Sequence, residues 1–266
     1  MKIFKSKLSL KKEIFGEKNI SFVPTMGGLH KGHISLIKRS KKIKGKVLVS
    51  IFINPKQFND KIDFLKYPKN LREDLMILKR LKVDYVYLPT KHDIFNFNPK
   101  NKIFLDRFSK KLCGKTRKKH FKGVLNVVNR FLEIIKPHYL LLGLKDFQQL
   151  LLIKKHIIKR KINTKVISCN TLREENGIAC STRNKNLSKK QVKIASNVYL
   201  YLKNIKKSKK ILRINLKKKL LLLGVNKIDY VEILNLRSLK KPKIINKNCR
   251  IFIAYYLKKI RLIDNI

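Results

Sequence analysis

Short apolar segments alternate along the first part of the chain with longer segments whose apolar residues recur at helical spacing. The short segments predict buried β-strands at residues 20–23, 46–53, 84–88, 138–142 and 165–168. Helices are predicted at residues 35–42, 71–81 and 121–136, and a further helix follows Asp146. Strands that alternate with helices in this way are typical of a parallel, doubly wound α/β sheet.

Local signals refine some of these elements. Asn70 followed three places later by Glu73 predicts a capping box at the start of helix 71–81. Asp146 is the predicted N-cap of the helix that directly follows it. The side chains expected on the buried face of that helix are Phe147, Leu150, Leu151, Ile157 and Ile158. Residues 91–102 are polar and contain proline, so they are predicted to form a loop.

The pattern changes after Leu187. Residues 188–223 are lysine-rich with helical spacing, and residues 227–236 and 250–257 read as strands of a smaller sheet. The chain is therefore predicted to form two domains, residues 1–175 and residues 176–266, of which the second is a smaller α+β domain.

Candidate chemistry collects just beyond three of the predicted strands. His30 and His33 stand three positions apart at the entrance of a helix, so both imidazoles can face one pocket. The first N–H groups of a helix attract phosphate, and nearby glycines allow a close approach. Asn54 with Gln57, and Lys145 with Gln149, follow two further strands, and ligands of such sheets bind at this edge. The alternative is a surface loop that carries two unrelated histidines.

The chain is strongly basic, with 66 Lys and Arg against 16 Asp and Glu and a net charge of +50. Such a charge attracts nucleic acid, so a nucleic-acid-binding protein is a competing hypothesis. The lysines are spread over the whole length and are not interleaved with aromatic residues as in a stacking platform. We therefore interpret the charge as mainly compositional and expect no specific nucleic-acid partner.

Cysteine usage and hydropathy indicate the expected environment. The cysteines are scattered, at Cys113, Cys169, Cys180 and Cys249. Free thiols in a reducing cytosol are expected, with a zinc site of His30, His33, Cys113 and His120 as a minor alternative. The longest apolar run, near residues 220–225, is far shorter than a membrane helix needs, and no signal-peptide pattern is visible. We expect a soluble, cytoplasmic protein without a membrane partner.

Blocks of sequence in a fixed order carry a specific resemblance. They lie at residues 24–33, 49–58, 67–68, 74–75, 120–124, 145–149, 173–184 and 261–265. Over its full length the chain resembles the pantothenate synthetases (pantoate:β-alanine ligases) of the nucleotidylyltransferase superfamily. The resemblance implies a Rossmann-like doubly wound parallel sheet that binds ATP and pantoate in residues 1–175, followed by the smaller C-terminal domain. It also implies condensation of pantoate with β-alanine through a pantoyl adenylate, and a homodimer.

The resemblance also implies the roles of individual residues. His33 matches the family's proton donor, and His30 and Lys145 are the other expected catalytic residues. The expected ATP-binding residues are Met26, Gly27, Gly28, Leu29, His30, Lys31, Gly32, His33, Gly143, Leu144, Lys145, Asp146, Leu172, Cys180, Ser181, Thr182 and Arg183. Gln57 is expected to bind pantoate and β-alanine, and Gln149 to bind pantoate. Mg²⁺ is expected with ATP, and Asp74 is its candidate ligand.

The chain departs from the family pattern at some of these positions. Leu144 replaces an acidic residue or glutamine, Cys180 replaces methionine or leucine, and Thr182 replaces serine. Arg117 and His120 fall outside the predicted catalytic set. A competing enzyme class is another nucleotidylyltransferase or a reduced aminoacyl-tRNA synthetase, but the Lys-Met-Ser-Lys-Ser loop of the synthetases is missing from the sequence.

Overall fold

The computed structural model describes residues 1–58, 64, 65, 67, 68, 70–208 and 215–266. The chain divides into two compact units. The first unit comprises Met1–Ser109 and Arg117–Asn170, and the second comprises Lys110–Thr116 and Thr171–Ile266. The predicted boundary after residue 175 lies five residues beyond the observed one, which falls between Asn170 and Thr171. The membership of Lys110–Thr116 in the second unit was not predicted.

The strands and helices of the described residues are numbered along the chain. The strands are β1 (Lys2–Phe4), β2 (Ser21–Thr25), β3 (Val47–Ile51), β4 (Tyr85–Tyr87), β5 (Tyr139–Gly143), β6 (Lys165–Cys169), β7 (Lys227–Asn235), β8 (Cys249–Leu257) and β9 (Ile260–Asn265). The helices are α1 (Lys7–Glu13), α2 (Lys31–Lys41), α3 (Leu71–Arg80), α4 (Lys91–Phe95), α5 (Cys113–Thr116), α6 (His120–Ile135), α7 (Phe147–Lys159), α8 (Lys189–Ser208) and α9 (Leu216–Leu222).

The first unit is built on a six-stranded sheet in the order β1-β4-β3-β2-β5-β6, as far as the described residues show. Neighbouring strands in this sheet pair in parallel. The chain runs from β2 through β3 to β4 on one side and then returns to β5 on the other side of β2. The predicted doubly wound α/β fold is thus confirmed, and the topological switch point lies between β2 and β5.

Both faces of this sheet are buried, which explains the continuous apolar strands in the sequence. Phe22 of β2 lies opposite Leu48 of β3, and both belong to the core on one face. The next pair, Val23 and Val49, belongs to the core on the other face. Because successive side chains of a strand alternate between faces, each strand needs apolar residues at consecutive positions.

The structure corrects the sequence predictions at several elements. Residues 91–102, predicted as a loop, contain helix α4, which begins with a capping box between Thr90 and Asp93. Asp146 occupies the predicted N-cap position of α7 but makes no side-chain capping bond there. Ile158, predicted on the buried face of α7, is 66% exposed. Strand β1 and helix α1 were not predicted, because both are short and weakly patterned.

Other predicted features agree with the structure. The Asn70 side chain accepts a hydrogen bond from the Glu73 N–H (3.2 Å) at the start of α3. The second unit has the predicted α+β character, with an antiparallel sheet in the order β7-β8-β9. The predictions missed β9, although it completes this sheet. The four cysteines are buried.

Within the ranges described, no helix combines the length and the apolar character needed to cross a membrane.

A fully buried histidine links three segments of the first unit. His156 of α7 accepts a hydrogen bond at Nδ1 from the Phe104 N–H (3.1 Å) and donates from Nε2 to Asn129 Oδ1 of α6 (2.9 Å). Asn129 Nδ2 in turn donates to the Asn101 carbonyl (2.7 Å). Burial, with a contribution from the charge of Arg160, lowers the pKa of His156 from 6.5 to about 4.

We expect the first unit to lose stability in acid because of His156. The unfolded chain takes up a proton on this residue as the pH falls through 6.5, whereas the folded protein resists protonation until about pH 4. The His156 contribution to the unfolding free energy is therefore complete above pH 6.5 and declines below it, by on the order of 3 kcal/mol at the acidic limit. Urea unfolding from pH 7.5 to 4.5 of the wild type and of His156→Gln measures the effect. Equal pH slopes in the two proteins would contradict it.

Candidate active site

Three turns of the first unit lie at one edge of its sheet. Residues 26–30, here called the glycine turn, connect β2 to α2. The 3-10 turn Pro55–Gln57 follows β3, and the 3-10 turn Leu144–Asp146 follows β5. Because β2 pairs in parallel with both β3 and β5, the carboxyl ends of these strands share one edge of the sheet. This is the edge at which such sheets bind ligands.

The backbone of the glycine turn is held by a buried carboxylate. Asp74 of α3 is 2% exposed, and its Oδ2 and Oδ1 accept hydrogen bonds from the N–H groups of Gly28 (2.8 Å) and Leu29 (2.7 Å). Gly27 and Gly28 have φ angles of +79° and +62°, which favour glycine. A Cβ atom on Gly27 would lie 2.9 Å from Asp74 Oδ2, so space as well as φ excludes a larger residue.

His30 caps the helix that follows the glycine turn. Its Nδ1 accepts a hydrogen bond from the Gly32 N–H (3.0 Å), which satisfies one of the unpaired donors at the start of α2. The neutral ring therefore carries its proton on Nε2, which becomes a donor. The centroid of the His33 ring lies 4.0 Å from that of His30, so the predicted imidazole pair is formed.

His33 lies in a low-dielectric, cationic environment. Burial, followed by the positive charge of Lys145, lowers the pKa of His33 from 6.5 to about 4. Lys145 is therefore close enough to act electrostatically on the imidazole, across the switch point between β2 and β5. The Nδ1 atom of His33 is buried and has no hydrogen-bond partner among the described residues. His33 is thus neutral at pH 7 in the free protein.

Lys145 also has an anionic neighbour. Its ammonium lies 3.8 Å from the carboxylate of Asp146, which is half-exposed. A partly exposed ion pair of this kind stabilises the fold only weakly.

The turn after β3 is joined to α6 by a close backbone contact. The side chain of Asn54 accepts a hydrogen bond from the Lys56 N–H (3.1 Å) and donates to the Gly123 carbonyl of α6 (3.1 Å). A Cβ atom on Gly123 would lie only 2.0 Å from the Lys56 carbonyl oxygen. Residue 123 of α6 must therefore be glycine, because the turn after β3 passes so close to it.

Two residues outside the predicted catalytic set position Gln57. The main-chain carbonyl oxygen of Gln57 accepts hydrogen bonds from His120 Nδ1 (2.7 Å) and Arg117 Nη2 (3.2 Å), so its side-chain amide is not used in these bonds. Since Nδ1 of His120 donates, its Nε2 is unprotonated and can accept from Arg117 Nη1, 3.4 Å away. The sequence signal for His120 was the block at 120–124, but its partner, the main-chain carbonyl of Gln57, could not be read from that block.

The remaining predicted residues of the first unit have varied environments. Leu29 is buried in the core, and Lys31 is exposed. Leu144, a departure from the family pattern, is partly buried and packs against the core. Gln149 is half-buried on the first turn of α7, whereas its neighbour Gln148 donates to the Phe108 carbonyl (2.8 Å). Other half-buried positions are Met26, Gly32 and Gly143.

The other predicted ATP residues lie in the second unit. The Cys180 N–H donates to the Leu172 carbonyl (3.0 Å), and Ser181 accepts from the Arg183 N–H (3.3 Å) at the start of a 3-10 turn. Cys180 and Thr182 are buried, so their side chains contribute to packing in this unit. Ser181 and Arg183 are half-buried.

Arg173 supports the hairpin that precedes this turn. Its guanidinium makes a bidentate contact with Asp264 (2.7 and 3.0 Å) and donates to the Gly177 carbonyl (3.0 Å). It also stacks over the ring of Tyr199, 4.2 Å from the centroid. Arg173 therefore has a structural role within the second unit.

In the part of the chain that the structure describes, no three His, Cys, Asp or Glu side chains are grouped closely enough to hold a metal ion. The zinc alternative from the sequence has no support among these residues. Both oxygens of Asp74, the candidate Mg²⁺ ligand, already accept backbone hydrogen bonds. This geometry fits a residue that holds the glycine turn better than it fits a metal ligand.

Comparisons with known proteins agree with the resemblance found in the sequence. A family model described as pantoate-beta-alanine ligase matches residues 2–266. The pantothenate synthetase of Francisella tularensis subsp. novicida is 41% identical over 263 residues, which cover 97% of this chain and 92% of that protein.

Solved structures extend the similarity to the fold. A pantoate-beta-alanine ligase from Francisella tularensis, solved in complex with beta-gamma ATP and beta-alanine, has a TM-score of 0.86 and 38% identity, and the match covers 100% of this chain and 97% of that one. Pantothenate synthetase from Thermus thermophilus has a TM-score of 0.90 and 28% identity, over 100% of this chain and 99% of that one.

The environment of His33 predicts an unusual titration. We expect its imidazole to titrate near pH 4 and to be neutral at pH 6, because burial and the charge of Lys145 both oppose protonation. In Lys145→Met the pKa of His33 rises but stays below 6.5, since burial remains. NMR titration of the ring signals, assigned with His33→Gln, measures both values. A pKa near 6.5 in the wild type would contradict this environment.

Proposed function

The chain belongs to the pantoate-β-alanine ligase family, and we propose how its site carries out the ATP-dependent condensation of pantoate with β-alanine to pantothenate, AMP and pyrophosphate. The observation that carries the proposal is the close pair of His30 and His33 under the electrostatic influence of Lys145. The reaction brings a carboxylate to a polyphosphate, so it requires fixed donors and cations in a partly dehydrated place.

The first step is proposed to occur beside the imidazole pair. The pantoate carboxylate attacks the α-phosphorus of ATP, the bond to the bridging oxygen breaks, and pyrophosphate leaves. His30 Nε2–H, His33 and the ammonium of Lys145 would stabilise the negative charge that develops on the phosphate oxygens. These groups are preorganised by the capping bond of His30 and by the burial of His33.

The protonation of His33 would change when ATP binds. The free imidazole is neutral at pH 7, so it first donates a hydrogen bond rather than a proton. A triphosphate beside it adds negative charge, which raises the pKa of His33 and opposes the effect of Lys145. His33 would then act as the proton donor that the family match implies.

The second step forms the amide bond. The neutral amine of β-alanine attacks the acyl carbon of pantoyl adenylate, AMP leaves, and the amine loses a proton. Gln57 and Gln149 are proposed to bind pantoate, and Gln57 to bind β-alanine as well, because an amide can both donate and accept. The hydrogen bonds of Arg117 and His120 to the Gln57 carbonyl would fix the position of that residue.

Further parts of the proposal rest on the family membership alone. Met26, Gly27, Lys31, Gly32, Gly143, Leu144 and Asp146 would line the ATP site. Leu172, Cys180, Ser181, Thr182 and Arg183 would form a second nucleotide loop. Mg²⁺ would arrive on the triphosphate and neutralise part of its charge, and we assign it no protein ligand. A homodimer in the cytoplasm is also proposed.

Exchange of pyrophosphate into ATP tests the proposed function. We expect exchange to depend on pantoate, and to fall by about two orders of magnitude or more in His33→Ala and Lys145→Ala, because each loses a group that stabilises the transition state. His92→Ala and Lys159→Ala, on exposed positions of α4 and α7, are matched controls and should retain wild-type rates.

Two outcomes would contradict the proposal. Exchange supported by tRNA or another acid, but not by pantoate, would favour the competing enzyme class. Wild-type exchange rates in both site variants would refute the residue roles. A separate salt titration tests the nucleic-acid alternative. Binding that falls steeply with salt and shows no sequence preference would show that the basic charge attracts nucleic acid only nonspecifically.

A further inference from the structure

The glycine turn, residues 26–30, contains an internal anion. Consecutive N–H groups near residues of positive φ form a concavity that commonly binds phosphate. In this protein, the N–H groups of Gly28 and Leu29 point at the carboxylate of Asp74, at 2.8 and 2.7 Å. The carboxylate is 2% exposed, so water does not compete for these bonds.

We propose that Asp74 is a positioning residue for ATP, which holds the glycine turn by occupying the Gly28 and Leu29 amides and leaves the phosphates to His30, His33 and Lys145. The inference rests on the proposed function only in that ATP is the ligand of this edge. It replaces the expected metal-ligand role of Asp74, and it assigns the glycines a conformational role rather than a direct phosphate contact.

The position of Asp74 is itself fixed by packing. It lies in the first turn of α3, whose Leu78 is fully buried in the same core cluster as Leu29. The helix and the glycine turn therefore share one apolar core as well as two hydrogen bonds. A Cβ atom on residue 27 would lie only 2.9 Å from Asp74 Oδ2, so glycine at this position lets the turn pass close to the carboxylate.

The location of the charge has a consequence for the nucleotide. A carboxylate beside the turn repels a triphosphate and therefore opposes ATP binding. Its presence is explained if the geometry of the turn depends on the hydrogen bonds that it accepts. Two charge-assisted hydrogen bonds to one carboxylate are stronger than neutral ones and hold both left-handed glycines in place. The placement of His30, two residues beyond Gly28, follows from this geometry.

Calorimetric titration with ATP, with and without Mg²⁺ and in the absence of pantoate, tests the proposal. In Asp74→Asn, one oxygen is replaced by an NH₂ group that faces an N–H, so the turn is released without a change in volume. We expect ATP affinity to fall about tenfold or more, by the same factor in both conditions. Because pantoate is not needed, the result is independent of whether the condensation chemistry is correctly assigned.

Asp84→Asn is the matched control. Asp84 also accepts a backbone hydrogen bond, from the Val47 N–H (2.9 Å), but at the amino end of β3, away from the glycine turn. Its variant should bind ATP as the wild type does. If Asp74→Asn does not fold, Asp74→Glu retains the charge but moves the carboxylate by one CH₂ group, and it should weaken ATP binding equally with and without Mg²⁺.

Three results would overturn the proposal. A loss of affinity confined to the Mg²⁺ titration would identify Asp74 as a metal ligand. An unchanged affinity would show that the turn does not depend on the carboxylate. An equal loss in Asp84→Asn would show that any carboxylate holding a backbone amide has the same general effect on stability.

Discussion

The parallel pairing of β2 with β3 on one side and with β5 on the other is the constraint on which the site depends. Both faces of these strands are covered by apolar cores, so polar side chains can collect only where the strands end. Parallel pairing brings those ends to one edge, and the reversal of strand order opens the edge between β2 and β5. Segments that are far apart in sequence thereby become neighbours.

Side chains from distant elements set the shape of the turns at this edge. Asp74 of α3 holds the amides of the glycine turn, and Asn54 links the turn after β3 to Gly123 of α6. His120 of α6 holds the carbonyl of Gln57. The bonds of Asp74 and His120 use main-chain groups of the turns, so the imidazoles and Gln57 are presented by a rigid backbone. Rigid presentation is what charge stabilisation in a transition state requires.

The electrostatics of the site are local, although the whole chain is basic. A net charge of +50 raises the encounter rate with any anion, but it does so without geometric selectivity. Selectivity requires groups that are partly removed from water, where charge interactions are stronger. The lowered pKa of His33 indicates that its imidazole is partly removed from water, because burial is the larger cause of the shift and the charge of Lys145 is the smaller one.

The sequence by itself determined the family, the doubly wound fold and the imidazole pair, because strand periodicity, helix signals and the blocks around His30 are properties of contiguous residues. It also held a local signal that was overlooked, since Thr90 and Asp93 are spaced as a capping box. Only the tertiary structure decided that Asp74 holds the glycine turn and that His120 binds the Gln57 carbonyl. These contacts join residues far apart along the chain through backbone groups that every residue carries, and therefore no residue pattern records them.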